Sequence, residues 1–158
     1  MAQLFWEDVE IGMAITPYPR TVTLMEINRF AGANDEFLLH HMDRDYSQNI
    51  EHLPDVIVMG NLKYSYLSNM MNNWIGEGGR LKRLSAQYRG MDFPGPAFST
   101  EPTMICKGSV TKKYIQNGDH YVECQVWVEN KAGQKTTPGL ASVILPAGIP
   151  YEGRPGAK

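Results

Sequence analysis

Apolar residues recur at helical spacing in two stretches of the chain. In the first, Thr23 and Glu26 are spaced as a capping box, and apolar side chains follow at i, i+3 and i+4 up to residue 31. The second stretch, residues 62–75, is apolar on much of its circumference and ends in a glycine-rich segment that begins at Gly76. We therefore predict a short amphipathic helix after Thr23 and one long, largely buried helix.

Beyond the long helix, apolar and polar residues alternate with the two-residue period of β-strands. The alternation is clearest over residues 122–129. Turn sequences at 117–119 and 130–133 separate neighbouring runs. The predicted strands are 80–89, 97–108, 109–117, 120–130 and 136–145. They form an antiparallel meander, and curling this sheet around the long helix buries the helix on most sides, so the predicted class is α+β.

Two further segments lack a clean period. Residues 4–20 contain turn signals and are predicted to be irregular, with a short strand end at 21–23. Residues 35–55 are predicted to form a long, partly structured loop with one short helix near 43–50. Because long loops are uncommon in compact domains and often carry function, residues 35–55 are the first place to search for a site.

Length and composition place the chain among ordinary globular domains. With 158 residues, 42% apolar and 20% charged, it is long enough for one core and too short for two domains. We assign residues 1–146 to a single domain and expect the Gly- and Pro-rich residues 147–158 to be a mobile tail. The formal net charge is -2 and there is no basic run, so the composition argues against a nucleic-acid partner.

Cysteine usage and hydropathy indicate in which cellular compartment the protein is expected. Cys106 and Cys124 lie in strand-like runs and are predicted to be buried as small apolar residues, not to form a disulfide scaffold or a metal site. The first residues lack the basic and apolar regions of a signal peptide, and no apolar run reaches the roughly 20 residues of a membrane helix. We expect a soluble, cytoplasmic protein without a membrane partner or a bound metal.

The first candidate for chemistry is a carboxylate–histidine combination in the loop 35–55. Asp35 precedes His40 by five residues, and His41 follows directly. On a regular helix this spacing points the two side chains apart, whereas an irregular loop can bring them together. A carboxylate beside an imidazole forms a general acid–base pair near neutral pH. The alternative is a polar surface loop without chemistry.

Two further candidates lie at the start of the long helix and at the end of the predicted strand 80–89. Gly60 precedes the helix, where free N–H groups and the missing side chain can polarise a ligand carbonyl as an oxyanion hole does. Arg89 can contact a phosphate or a carboxylate. The structural alternatives are a tight packing turn at Gly60 and a strand that leaves the sheet at Arg89.

Taken in chain order, several segments resemble the MaoC-like dehydratase family, the hot-dog-fold (R)-specific enoyl-CoA hydratases. Residues 5–12 are similar to the family's opening segment, residues 29–40 to its block with an aspartate five positions before a histidine, and residues 59–62 to the segment that opens its central helix. Shorter matches at 93–95 and 137–141 correspond to a turn and to the last strand. The resemblance implies a hot-dog fold, in which an antiparallel sheet wraps around one long central helix.

The resemblance also implies hydration of a trans-2-enoyl thioester to a 3-hydroxyacyl thioester, or the reverse dehydration. Asp35 and His40 would position and activate water and then protonate the α-carbon, and the N–H of Gly60 would stabilise the enolate oxygen. His41 is the alternative histidine, because the segment 40–43 is one residue longer than the family's ending. The implied substrate-contacting positions are Met59, Asn61, Tyr64 and Arg89.

The same resemblance implies a substrate carried by coenzyme A or by an acyl carrier protein, with no separate cofactor. The implied partners are a second copy in a homodimer or higher oligomer, or a different subunit in a hetero-oligomer. Two other activities fit the same fold: a non-catalytic acyl-thioester-binding subunit, and a thioesterase whose carboxylate activates water. Two bulky aromatic residues, Tyr64 and Tyr66, favour a bounded or ring-bearing acyl group.

Overall fold

A five-stranded antiparallel sheet packs on one long helix. The computed structural model describes residues 3–148. A short 3₁₀ helix covers Trp6–Asp8. The α-helices are α1 (Leu24–Asn34), α2 (Leu39–Met42), α3 (Arg44–Asn49) and α4 (Gly60–Ile75), and the strands are β1 (Tyr18–Arg20), β2 (Arg80–Ala86), β3 (Met104–Gln116), β4 (Asp119–Asn130) and β5 (Lys135–Leu145). The strand order is β1-β3-β4-β5-β2, and each neighbouring pair is antiparallel.

Helix α4 is the centre of the core, as its apolar period predicts. Its buried apolar side chains are Leu62, Tyr66, Leu67, Met70, Met71 and Ile75. They join one hydrophobic core with inward-facing residues of the long strands, such as Val126 and Val143. Contacts from α4 reach β2, β3, β4 and β5, so the sheet curls around the helix.

The predicted burial of Cys106 and Cys124 is confirmed, and this burial raises the pKa of each thiol to about 12.

Helix α1 begins where its capping sequence predicts. Thr23 is the N-cap, and its hydroxyl accepts a hydrogen bond from the N–H of Glu26 at 3.4 Å. The Glu26 carboxylate pairs with Arg20 of β1 at 3.1 Å and so ties the helix to the edge strand. The helix ends at Asn34, and Asp35 follows with a left-handed backbone (φ 52°). This turn starts the segment that carries the two adjacent histidines.

The prediction of a strand over residues 97–108 is wrong for its first part, because the strand begins at Met104. Pro96 and Pro102 have no N–H to donate to a sheet ladder, which explains why the residues before 104 stay outside the sheet. The short strand end predicted at 21–23 lies instead at β1, within the segment 4–20 that the sequence predicts to be irregular.

Strand β3 is continuous where the sequence predicts two strands, 97–108 and 109–117. The register with β4 shifts between Val110 and Lys112, so an irregularity within one strand replaces the predicted break. The hairpin turn that follows is confirmed, because Asn117 and Gly118 both have positive φ, as a tight two-residue turn requires.

The segment 35–55 contains two short helices, α2 and α3, where the sequence predicts one near 43–50. Helix α3 matches that prediction, and the Asp43 carboxylate caps it by accepting the N–H of Tyr46 at 3.0 Å. Helix α2 is four residues long and has no capping side chain, so its sequence gives little signal. It buries His41, which places that imidazole against the body of the fold.

From residue 149 onwards, the tail predicted to be mobile lies outside the described residues. The N–H of Gly148 donates to the carboxylate of Glu7 at 2.9 Å, and this hydrogen bond is the main cause that lowers the pKa of Glu7. Within residues 3–148, none of the helices is both long and apolar enough to cross a membrane.

Candidate active site

His41 is held by the extended segment that leads into α4. Its Nδ1 lies 2.7 Å from the carbonyl oxygen of Ile57. Since a carbonyl can only accept, Nδ1 carries the proton of the neutral ring and Nε2 is left with its lone pair. The N–H of Ile57 in turn donates to the carbonyl of His40 at 2.9 Å. These two hydrogen bonds fix α2 against the entry to α4 and orient the imidazole.

The surroundings of His41 favour a neutral ring. Burial is the main cause that lowers its pKa below the ordinary value of 6.5, and the neighbouring His40 lowers it further. The Ile57 carbonyl and the charges of Glu36 and Glu51 act in the opposite direction. The net result is an imidazole that is uncharged near neutral pH, with Nε2 available as a base.

Glu36 is the carboxylate that the structure connects to this region. Its Oε2 accepts hydrogen bonds from the side-chain amides of Asn34 at 2.9 Å and Asn61 at 3.1 Å. Asn61 uses its Oδ1 to accept the hydroxyl of Tyr88 at 3.1 Å. A chain of hydrogen bonds therefore runs from α1 across the first turn of α4 to the segment after β2, and it positions the carboxylate.

The ring of Tyr88 packs directly on Gly60. A methyl group placed on Gly60 would lie 2.6 Å from two ring carbons, so a glycine is required for this close approach. Gly60 is the first residue of α4, where N–H groups have no carbonyl one turn earlier to accept them. Burial is the main cause that raises the pKa of the Tyr88 phenol, which keeps its hydroxyl protonated as a donor.

A cavity of about 280 Å³ is lined by His41, Gly60 and Tyr88, whereas Glu36 and Asn61 are not among its lining residues. Its lining residues are His41, Ile57, Val58, Gly60, Lys63, Tyr88, Arg89, Gly90 and Met91. The imidazole of His41 and the amino end of α4 thus face one space. A base and a polarising helix end around one cavity are the elements of acid–base chemistry next to a carbonyl group.

Neither Asp35 nor His40, the pair predicted from the sequence, is among the residues that line this cavity. Asp35 is exposed, and its carboxylate has no hydrogen-bond partner among residues 3–148. His40 is half-buried, with its Nδ1 3.7 Å from the carboxylate of Glu51. By contrast, His41, which is the alternative histidine, lines the cavity together with Gly60.

The predicted substrate-contacting positions are spread more widely. Met59 is fully buried in the core, and the hydroxyl of Tyr64 donates to the carbonyl of Leu84 at 3.1 Å. Asn61 belongs to the hydrogen-bond chain on Glu36. Arg89 lines the cavity, and its guanidinium donates to the side chain of Gln87 at 2.6 Å and 2.9 Å.

Glu36 and Tyr88 are not among the site residues predicted from the sequence. A signal for Glu36 is present, since Glu36 precedes His41 by the same five residues that separate Asp35 from His40. The sequence therefore contains two overlapping acid–histidine pairs, and only the fold distinguishes them. The role of Tyr88 depends on its contact with Gly60, which is distant along the chain, so the sequence gives no local signal for it.

Comparison with known proteins gives matches at the level of structure only. No protein-family model and no curated protein match the sequence. R-hydratase PhaJ1 from Pseudomonas aeruginosa, in its unliganded form, has a TM-score of 0.76 at 18% identity, over 92% of this chain and 88% of that chain. The MaoC-like dehydratase from Rhodospirillum rubrum has a TM-score of 0.70 at 17% identity, over 92% and 99%. The ChsH1–ChsH2 complex from Mycobacterium tuberculosis contains a chain with a TM-score of 0.70 at 16% identity, over 86% and 98%.

These matches define the class of fold. The chain has the α+β hot-dog fold of the (R)-hydratases and MaoC-like dehydratases. The resemblance predicted from the sequence is thereby confirmed at the level of the fold. Because a fold hosts many chemistries, the reaction has to be argued from the residues around the cavity.

Proposed function

We propose that the protein is a hydro-lyase that adds water to trans-2-enoyl thioesters or removes it from 3-hydroxyacyl thioesters. The observation that carries this proposal is the placement of His41 beside Gly60 at one cavity, with the Glu36 carboxylate fixed by two amides nearby. The hot-dog fold shared with hydratases and dehydratases supports the same reaction class.

In the proposed reaction, His41 is the general base. Its Nε2 takes a proton from water while Glu36 accepts a hydrogen bond from the second O–H and orients the molecule. The water oxygen forms a bond to the β-carbon, and the electron pair of the double bond moves towards the thioester oxygen. The imidazolium then returns its proton to the α-carbon, so that one water is added in total. The Ile57 carbonyl accepts the Nδ1–H hydrogen bond in both the neutral and the protonated ring, so that only Nε2 gains and loses the proton.

The amino end of α4 supplies the partial positive charge that stabilises negative charge on the thioester oxygen. The N–H of Gly60 would donate to the thioester oxygen as negative charge develops there, which is the role of an oxyanion hole. The wall of the cavity that Tyr88 forms would limit how deeply water enters beside the substrate. No step requires a metal or an organic cofactor, since the thioester itself stabilises the carbanion.

The substrate is proposed to be carried by coenzyme A or by an acyl carrier protein. Arg89 lines the cavity and is exposed, so its guanidinium can meet a phosphate at the entrance.

A homodimer is proposed as the working unit. Support comes from three consecutive exposed apolar side chains close to the site, Phe37, Leu38 and Leu39, which a second subunit would cover.

The test is the loss of enoyl-thioester absorbance when the purified protein is mixed with crotonyl-CoA and with a longer enoyl-CoA. We expect the band to decrease, and we expect His41→Gln to abolish the decrease while His40→Gln, a matched change in the neighbouring histidine, retains it. An unchanged band with every chain length would reject the proposal. Release of a free thiol without loss of the double bond would indicate a thioesterase instead.

One observation favours a second candidate, a non-catalytic subunit that binds acyl thioesters. The Tyr88 ring covers one face of Gly60, the residue whose N–H would meet the thioester oxygen. For this candidate, calorimetry should detect binding of crotonyl-CoA while the absorbance band stays constant. Binding together with loss of the band would exclude it.

A further inference from the structure

A lysine and an aspartate form a buried ion pair at the cavity, where Lys63 is one of the lining residues. The Nζ of Lys63, on α4, lies 2.8 Å from Oδ2 of Asp92, and each side chain is 2% exposed. The same ammonium donates to the carbonyl of Gly90 at 3.0 Å, and the hydroxyl of Thr136 on β5 donates to Asp92 Oδ2 at 2.6 Å. Three elements are therefore joined at this pair: α4, the segment after β2, and β5.

A buried ion pair is an energetically unfavourable way to fill a core position, because both charges lose their hydration. Taking two charges out of water costs several kcal/mol per ion, and apolar residues of similar volume are often at least as stable. Asp92 Oδ1 is also buried without a hydrogen-bond partner among the described residues. Fold stability alone thus gives no reason for the pair, whereas a need for one defined geometry does.

The geometry that the pair defines is that of the cavity wall. Residues 88–92, the wall segment, carry Tyr88 at one end and Asp92 at the other. The Asp92 carbonyl accepts the N–H of Val58 at 2.8 Å, and the N–H groups of Arg89 and Gly90 donate to the carbonyl of Thr136 at 2.9 Å and 3.0 Å. Lys63 adds two hydrogen bonds from the first turn of α4 to the same segment. The distance between the wall segment and Gly60 is therefore set from both ends.

We propose that Lys63 and Asp92 are positioning residues, which hold the wall segment so that Tyr88 stays at its contact with Gly60 and the cavity keeps its width. In this role the pair acts through Tyr88 and the amino end of α4. For its catalytic consequence this inference rests on the proposed hydration reaction. Its structural consequence, the fixed position of the wall segment, can be tested without any substrate.

The decisive variant replaces both charges at once, Lys63→Met with Asp92→Leu. Removing both charges leaves no unpaired buried ion, so the variant is expected to fold with close to wild-type stability. We expect amide hydrogen exchange to become at least about tenfold faster in peptides covering 57–62 and 88–92, because the ties to the wall segment are lost. We also expect kcat for crotonyl-CoA hydration to fall by about tenfold or more, since small displacements at a reacting centre are costly.

A matched control comes from another lysine–carboxylate pair of the same chain. Lys107 and Glu129 join β3 and β4 at 2.6 Å, away from the cavity. The double change Lys107→Met with Glu129→Leu is expected to leave both exchange at 57–62 and kcat unchanged. If the core double variant fails to fold, Thr136→Val serves instead, because it removes one hydrogen bond to Asp92 in nearly the same volume. It is expected to shift both measurements in the same direction by a smaller amount.

Each outcome either supports or overturns the positioning role of Lys63 and Asp92. Unchanged exchange in both peptides, or faster exchange with an unchanged kcat, would overturn the positioning role. Faster exchange and a lower kcat, with KM little changed, would support it. Faster exchange in a protein that hydrates no enoyl thioester would uphold the fixed wall segment and reject the proposed reaction, so the two failures are distinguishable.

Discussion

At the scale of single residues, two adjacent histidines have different surroundings. His41 is 7% exposed and held by the Ile57 carbonyl, whereas His40 is half-buried and faces Glu51. Desolvation lowers the pKa of His41 because the buried site disfavours the imidazolium. The base in the proposed reaction is therefore already in its active, neutral form at neutral pH.

This environment predicts the acid side of the pH–rate profile. If neutral His41 is the base, kcat/KM for hydration should fall as the pH decreases, with an apparent pKa below 6.5, the ordinary value. The direction follows because the buried ring takes up its proton only at a lower pH than a free histidine does. Initial rates over a pH series would measure the profile. An acidic limb centred at or above 6.5 would contradict the assignment.

At the scale of elements, the start of α4 depends on a backbone without a side chain. Gly60 admits the Tyr88 ring at a distance that no Cβ allows, and Tyr88 then donates to Asn61 in the same helical turn. By contrast, a methyl group placed on Gly32, inside α1, would meet nothing within 4 Å. Of these two helical glycines, Gly60 has no room for a side chain, whereas Gly32 has.

We predict opposite results for alanine at these two positions. Gly60→Ala should displace the Tyr88 ring and lower the free energy of unfolding by about 1–3 kcal/mol, together with a reduced hydration rate. Gly32→Ala should raise the free energy of unfolding by about 0.5–1 kcal/mol, because alanine loses less entropy in a helix. Urea denaturation of both variants measures the difference. A Gly60→Ala protein with wild-type stability and rate would show that the contact with Tyr88 is unimportant.

At the scale of the whole molecule, the exposed apolar surface points to association. Phe37, Leu38 and Leu39 are 58%, 48% and 54% exposed and follow one another directly in the chain. Monomers seldom expose large contiguous apolar patches. Strand β2 is also an edge of the sheet, paired only with β5 among the described strands. A second copy, or a different subunit of the same fold, would cover these surfaces.

Sedimentation should therefore give at least twice the chain mass of 17.8 kDa at micromolar concentration. Replacing Leu38 and Leu39 by serine should weaken the association, because it removes apolar area from the contact. The hydration rate per chain would show whether association is needed for activity. A wild-type protein that sediments as a monomer at all accessible concentrations would contradict the proposed dimer.

The sequence predicts the fold better than it predicts the site. The change from a helical to a two-residue apolar period after residue 79 is a strong signal, and a sheet packed on one long helix follows from it, whereas the hot-dog fold is implied by the family resemblance. The error at 97–103 arises where prolines interrupt an apparent strand. The overlapping pairs Asp35–His40 and Glu36–His41 have equal spacing, so no sequence pattern separates them. The left-handed turn at Asp35 and the hydrogen bond from His41 to Ile57 give the two pairs different surroundings, and both features depend on the folded chain.

The central claim is that Glu36 and His41 act together at the cavity beside Gly60. The most direct measurement compares the initial rate of crotonyl-CoA hydration by Glu36→Gln with that by Asp35→Asn, two isosteric changes of adjacent carboxylates. We predict that Glu36→Gln lowers kcat by about 10² or more, a usual contribution of acid–base groups. Asp35→Asn should stay near the wild-type rate. A loss of rate in Asp35→Asn with Glu36→Gln unaffected would contradict the account and assign the chemistry to the other pair.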